Sequence, residues 1–285
     1  MQKRSLRRAL EAKEFVLAPG VYDMMSALMA DKVGHEFVYA SGFWLTASHL
    51  GLPDAGIATY TQMLDRVQTL AGVTKAAVIA DADTGYGGLL NVHHTVRGYE
   101  KAGVAAIQIE DQVFPKKCGH TPNKQVVPVQ DMVDKIRVAT AARLSPETVI
   151  IARTDARQVE GFEGALARGK AYAEAGADVV FLEALQSVDE MRTACAALDK
   201  PAMANMVEGG RTPMMSPRQL QEIGYAIAIF PATGALAANA AVEAALRSLK
   251  TADAEMTTEL HDFNEMCSIL GFEEVWAFER KWART

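Results

Sequence analysis

Short apolar, β-favouring runs recur along this chain and rarely alternate with polar residues. They are FVLAP (15–19), FVYAS (37–41), AAVIADAD (76–83), AAIQIED (105–111), TVIIARTD (148–155), VVFLEA (179–184), AMANM (202–206) and YAIAIFP (225–231). A strand with one wet face alternates, so continuous apolar character predicts parallel strands covered on both faces. The stretches between them, such as 59–71, 129–143, 163–175 and 234–249, read as helices. Gly103, Gly176 and Gly224 stand just before the next run, where a helix end favours a residue tolerant of left-handed backbone. The runs start on average about 30 residues apart, the length of a βα unit. Eight such units predict a closed (β/α)8 barrel of the TIM type. The rival, a doubly wound open sheet, lacks its GxGxxG after the first run. The whole chain, 1–285, is expected to form one barrel domain with an N-terminal lead-in helix. A helical tail over about 251–285 carries Trp276, Phe278 and Trp282, which pack on the barrel or on a neighbouring subunit.

Composition narrows the class. Of 285 residues, 22% are charged and the net charge is −6, so the basic excess of a nucleic-acid binder is missing. No apolar run approaches the roughly 20 residues that span a bilayer. The basic opening MQKRSLRRALEAKEF lacks the apolar core and cleavage site of a secretory signal, and Glu11 and Glu14 disfavour a mitochondrial presequence. Cys118, Cys195 and Cys267 are odd in number and widely spaced, which suits a reducing, cytoplasmic setting rather than a disulfide framework.

Barrel enzymes carry their chemistry at the carboxyl ends of the strands. Here those ends hold Ser41 and Gly42, then Asp81 and Asp83, Glu110 and Asp111, Arg153 and Asp155, Glu183, and Asn205. Asp81 and Asp83 are two apart and, if both are on the strand, share one side of it. Two such carboxylates repel unless a cation intervenes. Magnesium suits them, because it takes oxygen ligands, keeps several waters and uses one or two carboxylates directly. Mn2+ is the alternative, and Asp54 in GLPDAG is placed to join through water. Zinc is disfavoured for want of a paired Cys/His pattern. Arg153 is a planar fork suited to a carboxylate, unless it is a structural partner of Asp155 or Glu183. Backbone amides at Ser41, Gly42 and Phe43 suit a second carboxylate or an oxyanion, and Asn205 and Thr212 add neutral donors. This describes a pocket for a small, doubly anionic molecule.

PKKCGHTPNK (115–124) lies in a connection of about 17 residues, where βα loops usually run to 2–6. One cysteine and one histidine are too few for a metal clip. A Cys–His nucleophile lacks an orienting third group. A lid that lowers Cys118 onto substrate as an acid–base group fits the length and the neighbouring charges of Lys116, Lys117 and His120. The plain alternative is a surface loop with an incidental thiol.

KKCGH after a strand ending IED, DADTGYG, SGF…LGLPD, ARTDA and NMVEGGRTP occur in this order across about residues 15–250. Together they resemble the isocitrate lyase/phosphoenolpyruvate mutase superfamily, in particular its short lyase-type members. The resemblance implies a (β/α)8 barrel whose last helix is exchanged between subunits of a homotetrameric dimer of dimers. It implies Mg2+ held by Asp81, with Asp54 and Asp83 partly through water, and a substrate carboxylate on Ser41 and Gly42. Arg153 would hold a carboxylate or oxyanion, while Glu110 and Glu183 would order the waters and the lysine. Cys118 would donate a proton, supported by Lys116 and His120. The implied reaction splits a carbon–carbon bond of a small 2-hydroxy or 2-oxo dicarboxylate through an enediolate. Two competing readings are a phosphonate enzyme in the same barrel and a barrel without catalysis. Departures from the methylisocitrate-cleaving pattern at Phe43, Trp44 and EGGRTP (208–213) suggest a reshaped pocket, to which Thr233 would offer a hydroxyl.

Overall fold

The computed structural model describes residues 3–119, 123–250 and 259–283. The eight strands are β1 Val16–Val21, β2 Phe37–Ala40, β3 Ala77–Asp81, β4 Ala106–Glu110, β5 Val149–Thr154, β6 Val179–Leu182, β7 Met203–Asn205 and β8 Ile227–Phe230. Each coincides with one of the apolar runs, trimmed or shifted by a residue or two. All pairings are parallel, in the order β6-β5-β4-β3-β2-β1-β8-β7. The ring closes between β6 and β7 through a single bridge, Val180 with Ala202. The result is a (β/α)8 barrel.

Every residue of β2 through β7 is buried, which is why these strands do not alternate in polarity. The period of two persists inside the barrel all the same. Phe37 and Tyr39, Ala77 and Ile79, Val149 and Ile151, and Val179 and Phe181 fill the interior. Val38, Val78, Ile107 and Ile150, one step out of phase, pack under the helices.

The basic opening segment contains a helix, Leu6–Glu11, capped by Ser5. Its Leu6 and Ala9 join the barrel-interior cluster at the strands' amino ends, so it acts as a plug. Its charges stay outside, with Arg7 paired to Asp178 at 3.0 Å and Arg4 to Glu14 and Glu36. Gly103, Gly176 and Gly224 have φ of +86°, +109° and +116°, as the helix-end reading requires. The helix Arg157–Glu174 is interrupted at Gly161 (φ +80°).

Contacts divide the chain into two compact units, residues 1–235 and 236–285. The first holds the barrel. The second holds most of the helix Thr233–Ser248, together with Phe263–Ile269 and Phe272–Trp282. It exposes Leu246, Phe263, Trp276, Phe278 and Trp282. Among the described residues no helix is long and apolar enough to cross a membrane.

Candidate active site

Following the inward period upward from the apolar layers gives the candidate site directly. Tyr39 leads to Ser41, Ile79 to Asp81, Gln108 to Glu110, Ile151 to Arg153, Phe181 to Glu183 and Met203 to Asn205. All six upper residues are buried, at 9% exposure or less. One sector is acidic. Asp81 Oδ2 accepts from the Gly42 amide (3.3 Å) and the Tyr39 hydroxyl (3.3 Å), and Tyr39 also donates to Gln108 (3.0 Å). Gly42 is required there, since a Cβ would stand 2.7 Å from that same oxygen. Its amide is therefore committed to Asp81, whereas the sequence reading gave it to a substrate carboxylate.

Asp83 corrects a second expectation. β3 ends at Asp81, and Asp83 has φ +48°, so it does not share the strand's alternation. It returns to the pocket by a turn in which its amide donates to Asp81 Oδ1 at 3.0 Å. Lys116 then bridges Asp83 (2.7 Å) and Asp54 (2.6 Å). Burial pushes Asp83 up to about 6, helped by Asp81 and Asp54 and opposed by Lys116. Burial also raises Glu110 well above the usual carboxylate range, against Arg153 and Lys116. Burial alone would lower Lys116, but the surrounding carboxylates, Asp83 first, hold it well above the normal amine value.

The other sector centres on Arg153. It donates to both oxygens of Asp155 (2.8 and 3.1 Å), lies 3.3 Å from Glu110 and from Glu183, and stacks 5.1 Å above the Phe181 ring. The structural partnership with Asp155 and Glu183 is thus present in this state. Asn205 donates to Glu183 at 2.9 Å. Asp111 does not belong to the pocket. It is out of phase with Glu110, faces outward, and accepts from Thr154 (2.6 Å) and Tyr172 (2.8 Å) with Arg168 nearby.

The long loop between β4 and the helix Val129–Ala142 has a closed neck. Val127 N donates to Asp111 O and Val113 N to Gln125 O, both at 2.9 Å. The Gln112 amide clamps the backbone of Lys117 from both sides. Lys116 turns into the pocket and Lys117 out to solvent, so only one of the two enters the site. The charge of Lys116 is engaged by Asp54 and Asp83. Cys118 is half-buried, and Gly119 is buried so closely on Arg153 and Glu183 that any Cβ would meet the guanidinium. His120 lies outside the described residues. Phe43 is half-buried, edge-on to Trp44 with ring centres 4.9 Å apart. Thr233 is exposed, and its hydroxyl is bonded to Glu208. Sequence reasoning missed Tyr39 and Gln108 beneath Asp81, and Lys124, which is wholly buried against Asp155.

Among the described residues, no three Asp, Glu, His or Cys groups form a ready-made metal shell. The donor set nevertheless fits a hard divalent ion that keeps much of its water. Asp81, Asp83 and Glu110 are buried together, and Glu110 Oε1 has no hydrogen-bond partner. The raised proton affinities of Asp83 and Glu110 mark a deficit of positive charge. Lys116 meets that deficit only in part.

A family model described as phosphoenolpyruvate phosphomutase matches residues 6–250. A 2,3-dimethylmalate lyase of Eubacterium barkeri is 42% identical over 98% of this chain and 97% of its own. A 2-methylisocitrate lyase of Aeropyrum pernix is 44% identical over 94% and 87%. An oxaloacetate acetylhydrolase, solved with the inhibitor 3,3-difluorooxalacetate, superposes with a TM-score of 0.93 at 35% identity, covering 99% of this chain and 97% of that one. The chain belongs to the phosphoenolpyruvate mutase/isocitrate lyase superfamily.

Proposed function

We propose that this chain is a carbon–carbon lyase that cleaves a small 2-hydroxy or 2-oxo dicarboxylate of the 2-alkylmalate, methylisocitrate or oxaloacetate type. The observation that carries the reading is the loop of Cys118 resting, through Gly119, on a buried arginine beside an under-neutralised carboxylate cluster.

Asp81, Asp83 and, through water, Asp54 are the residues that would hold Mg2+ or Mn2+. Bound there, such an ion lowers the pKa of the substrate hydroxyl, or of the hydrated carbonyl, and anchors the adjoining carboxylate. The partnerless Glu110 Oε1 is the oxygen available to order water or take up a proton. As the hydroxyl carbon becomes a carbonyl, the bond to its neighbour breaks. The electron pair moves onto the departing carboxylate-bearing fragment, an enediolate. Arg153 offsets that charge in a site shielded from water, and one such donor is worth about 3–4 kcal/mol. The Ser41 side of the pocket and Asn205 orient the substrate, with Phe43 and Thr233 at its margin. Cys118 gives its proton to the fragment's carbon, with Lys116 and His120 keeping the loop in position.

The family model's description supports a second reading, phosphonate chemistry. A mutase needs no proton donor at carbon, so Cys118 favours the lyase. A barrel without catalysis has no use for burying so many charges at one mouth. The identities of 42% and 44% do not rank the two lyase substrates. The test is a panel of 2,3-dimethylmalate, other 2-alkylmalates, 2-methylisocitrate, oxaloacetate and phosphonopyruvate, supplied with Mg2+ and followed by NMR. Turnover of phosphonopyruvate alone rejects the proposal. We further propose a single-domain, cytoplasmic homotetramer with exchanged last helices. The apolar side chains exposed on the second unit support this, and sedimentation tests it.

A further inference from the structure

A lysine that no substrate-directed reading calls for is the most deeply buried cation of the loop. Lys124 stands five residues beyond Gly119, and its side chain and that of Asp155 are both fully buried. Its Nζ donates to Asp155 Oδ1 at 2.5 Å and to the Gly119 carbonyl at 2.6 Å. The same carbonyl accepts from Gln158 at 3.3 Å. A buried ammonium costs desolvation that only close partners offset, and here the partners join the cysteine loop to the carboxyl end of β5.

We propose that Lys124 is a positioning residue with two effects on the reaction. The first is geometric. By holding Gly119 O against Asp155, it keeps the residue next to Cys118 seated on Arg153. The second is electrostatic. Asp155 takes two hydrogen bonds from Arg153 and, unshared, would cancel much of its charge. Lys124 neutralises Asp155 independently and leaves the field of Arg153 for the anionic fragment. Burial would push the Asp155 carboxyl up, yet the two cations hold it well below the usual range, so it stays charged across neutral pH.

The geometric half stands apart from the proposed reaction, and only the electrostatic half rests on it. The experiment therefore reads both in the full-length protein. Alkylation of Cys118 by iodoacetamide is followed by peptide mass spectrometry without ligand, with Cys195 as internal reference. Lys124→Met should raise the Cys118 rate by about tenfold or more while Cys195 is unchanged. Equal Cys118 rates overturn the latch. On whichever substrate the panel identifies, Lys124→Met should lower kcat by about a hundredfold with KM changed less than threefold, and Lys124→Arg should recover part of it. A uniform rise in KM with kcat preserved overturns the electrostatic half. If Lys124→Met does not fold, acylation of wild-type lysines decides. Lys124 must react far more slowly than exposed Lys117, and equal rates overturn the proposal.

Discussion

The two mouths of the barrel are built from the same eight strands and treat charge in opposite ways. At the amino end, Leu6 and Ala9 close the interior with apolar contact, and the ion pairs of Arg4 with Glu14 and Glu36 lie exposed. At the carboxyl end, Asp81, Asp83, Lys116, Lys124, Glu110, Arg153, Asp155 and Glu183 are all buried. Exposed pairs of the first kind contribute roughly 0–1 kcal/mol. Buried charges of the second kind cost several kcal/mol each before their partners offset it. A fold needing only stability would have closed both ends like the first. The difference teaches that the carboxyl end has given up stability for chemistry.

The largest expected effect tests that contrast at its centre. Arg153→Met should reduce kcat/KM by about a thousandfold or more, measured on the best substrate of the panel. A loss under tenfold would make Arg153 a structural partner of Asp155 and no more. Next is Cys118→Ser, which should cost about a hundredfold in kcat with substrate affinity by calorimetry nearly unchanged. A near-wild-type rate would remove the proton donor from the scheme.

The third test uses pH. A carboxyl raised by burial binds its proton more tightly folded than unfolded. Asp83 therefore favours the metal-free fold in acid, and that contribution is lost as pH climbs from the unfolded value near 4 to about 6. Mg2+ takes the ionised form, so its gain in Tm should be clearly larger at pH 7.5 than at pH 5. A gain independent of pH would place the ion elsewhere. At the other mouth the effects should be purely structural. Leu6→Ala should cost about 2–3 kcal/mol in denaturant unfolding and leave kcat intact. Arg4→Ala should cost less than about 1 kcal/mol.

All eight strands were legible because burial on both faces leaves an unbroken apolar signature. The inward residues of the site were legible too, and counting by two from Gln108 would have separated Glu110 from Asp111. Asp83 was not, because a left-handed residue breaks the alternation that placed it beside Asp81. Nor was Lys124. In the sequence it is one more lysine of a polar loop, and only the chain's return past β5 buries it. Lys116 and Lys117 look interchangeable until the clamp of Gln112 turns one inward and the other out.

The seam between β6 and β7 has a further bearing on chemistry. A full ladder resists spreading along its length, but here one backbone bridge and the amide of Asn205 reaching Glu183 hold the two strands. That quadrant of the rim is the easiest to widen or narrow without unpicking the cylinder. Relatives that differ in the bulk of the diacid they admit have there an inexpensive place to change girth.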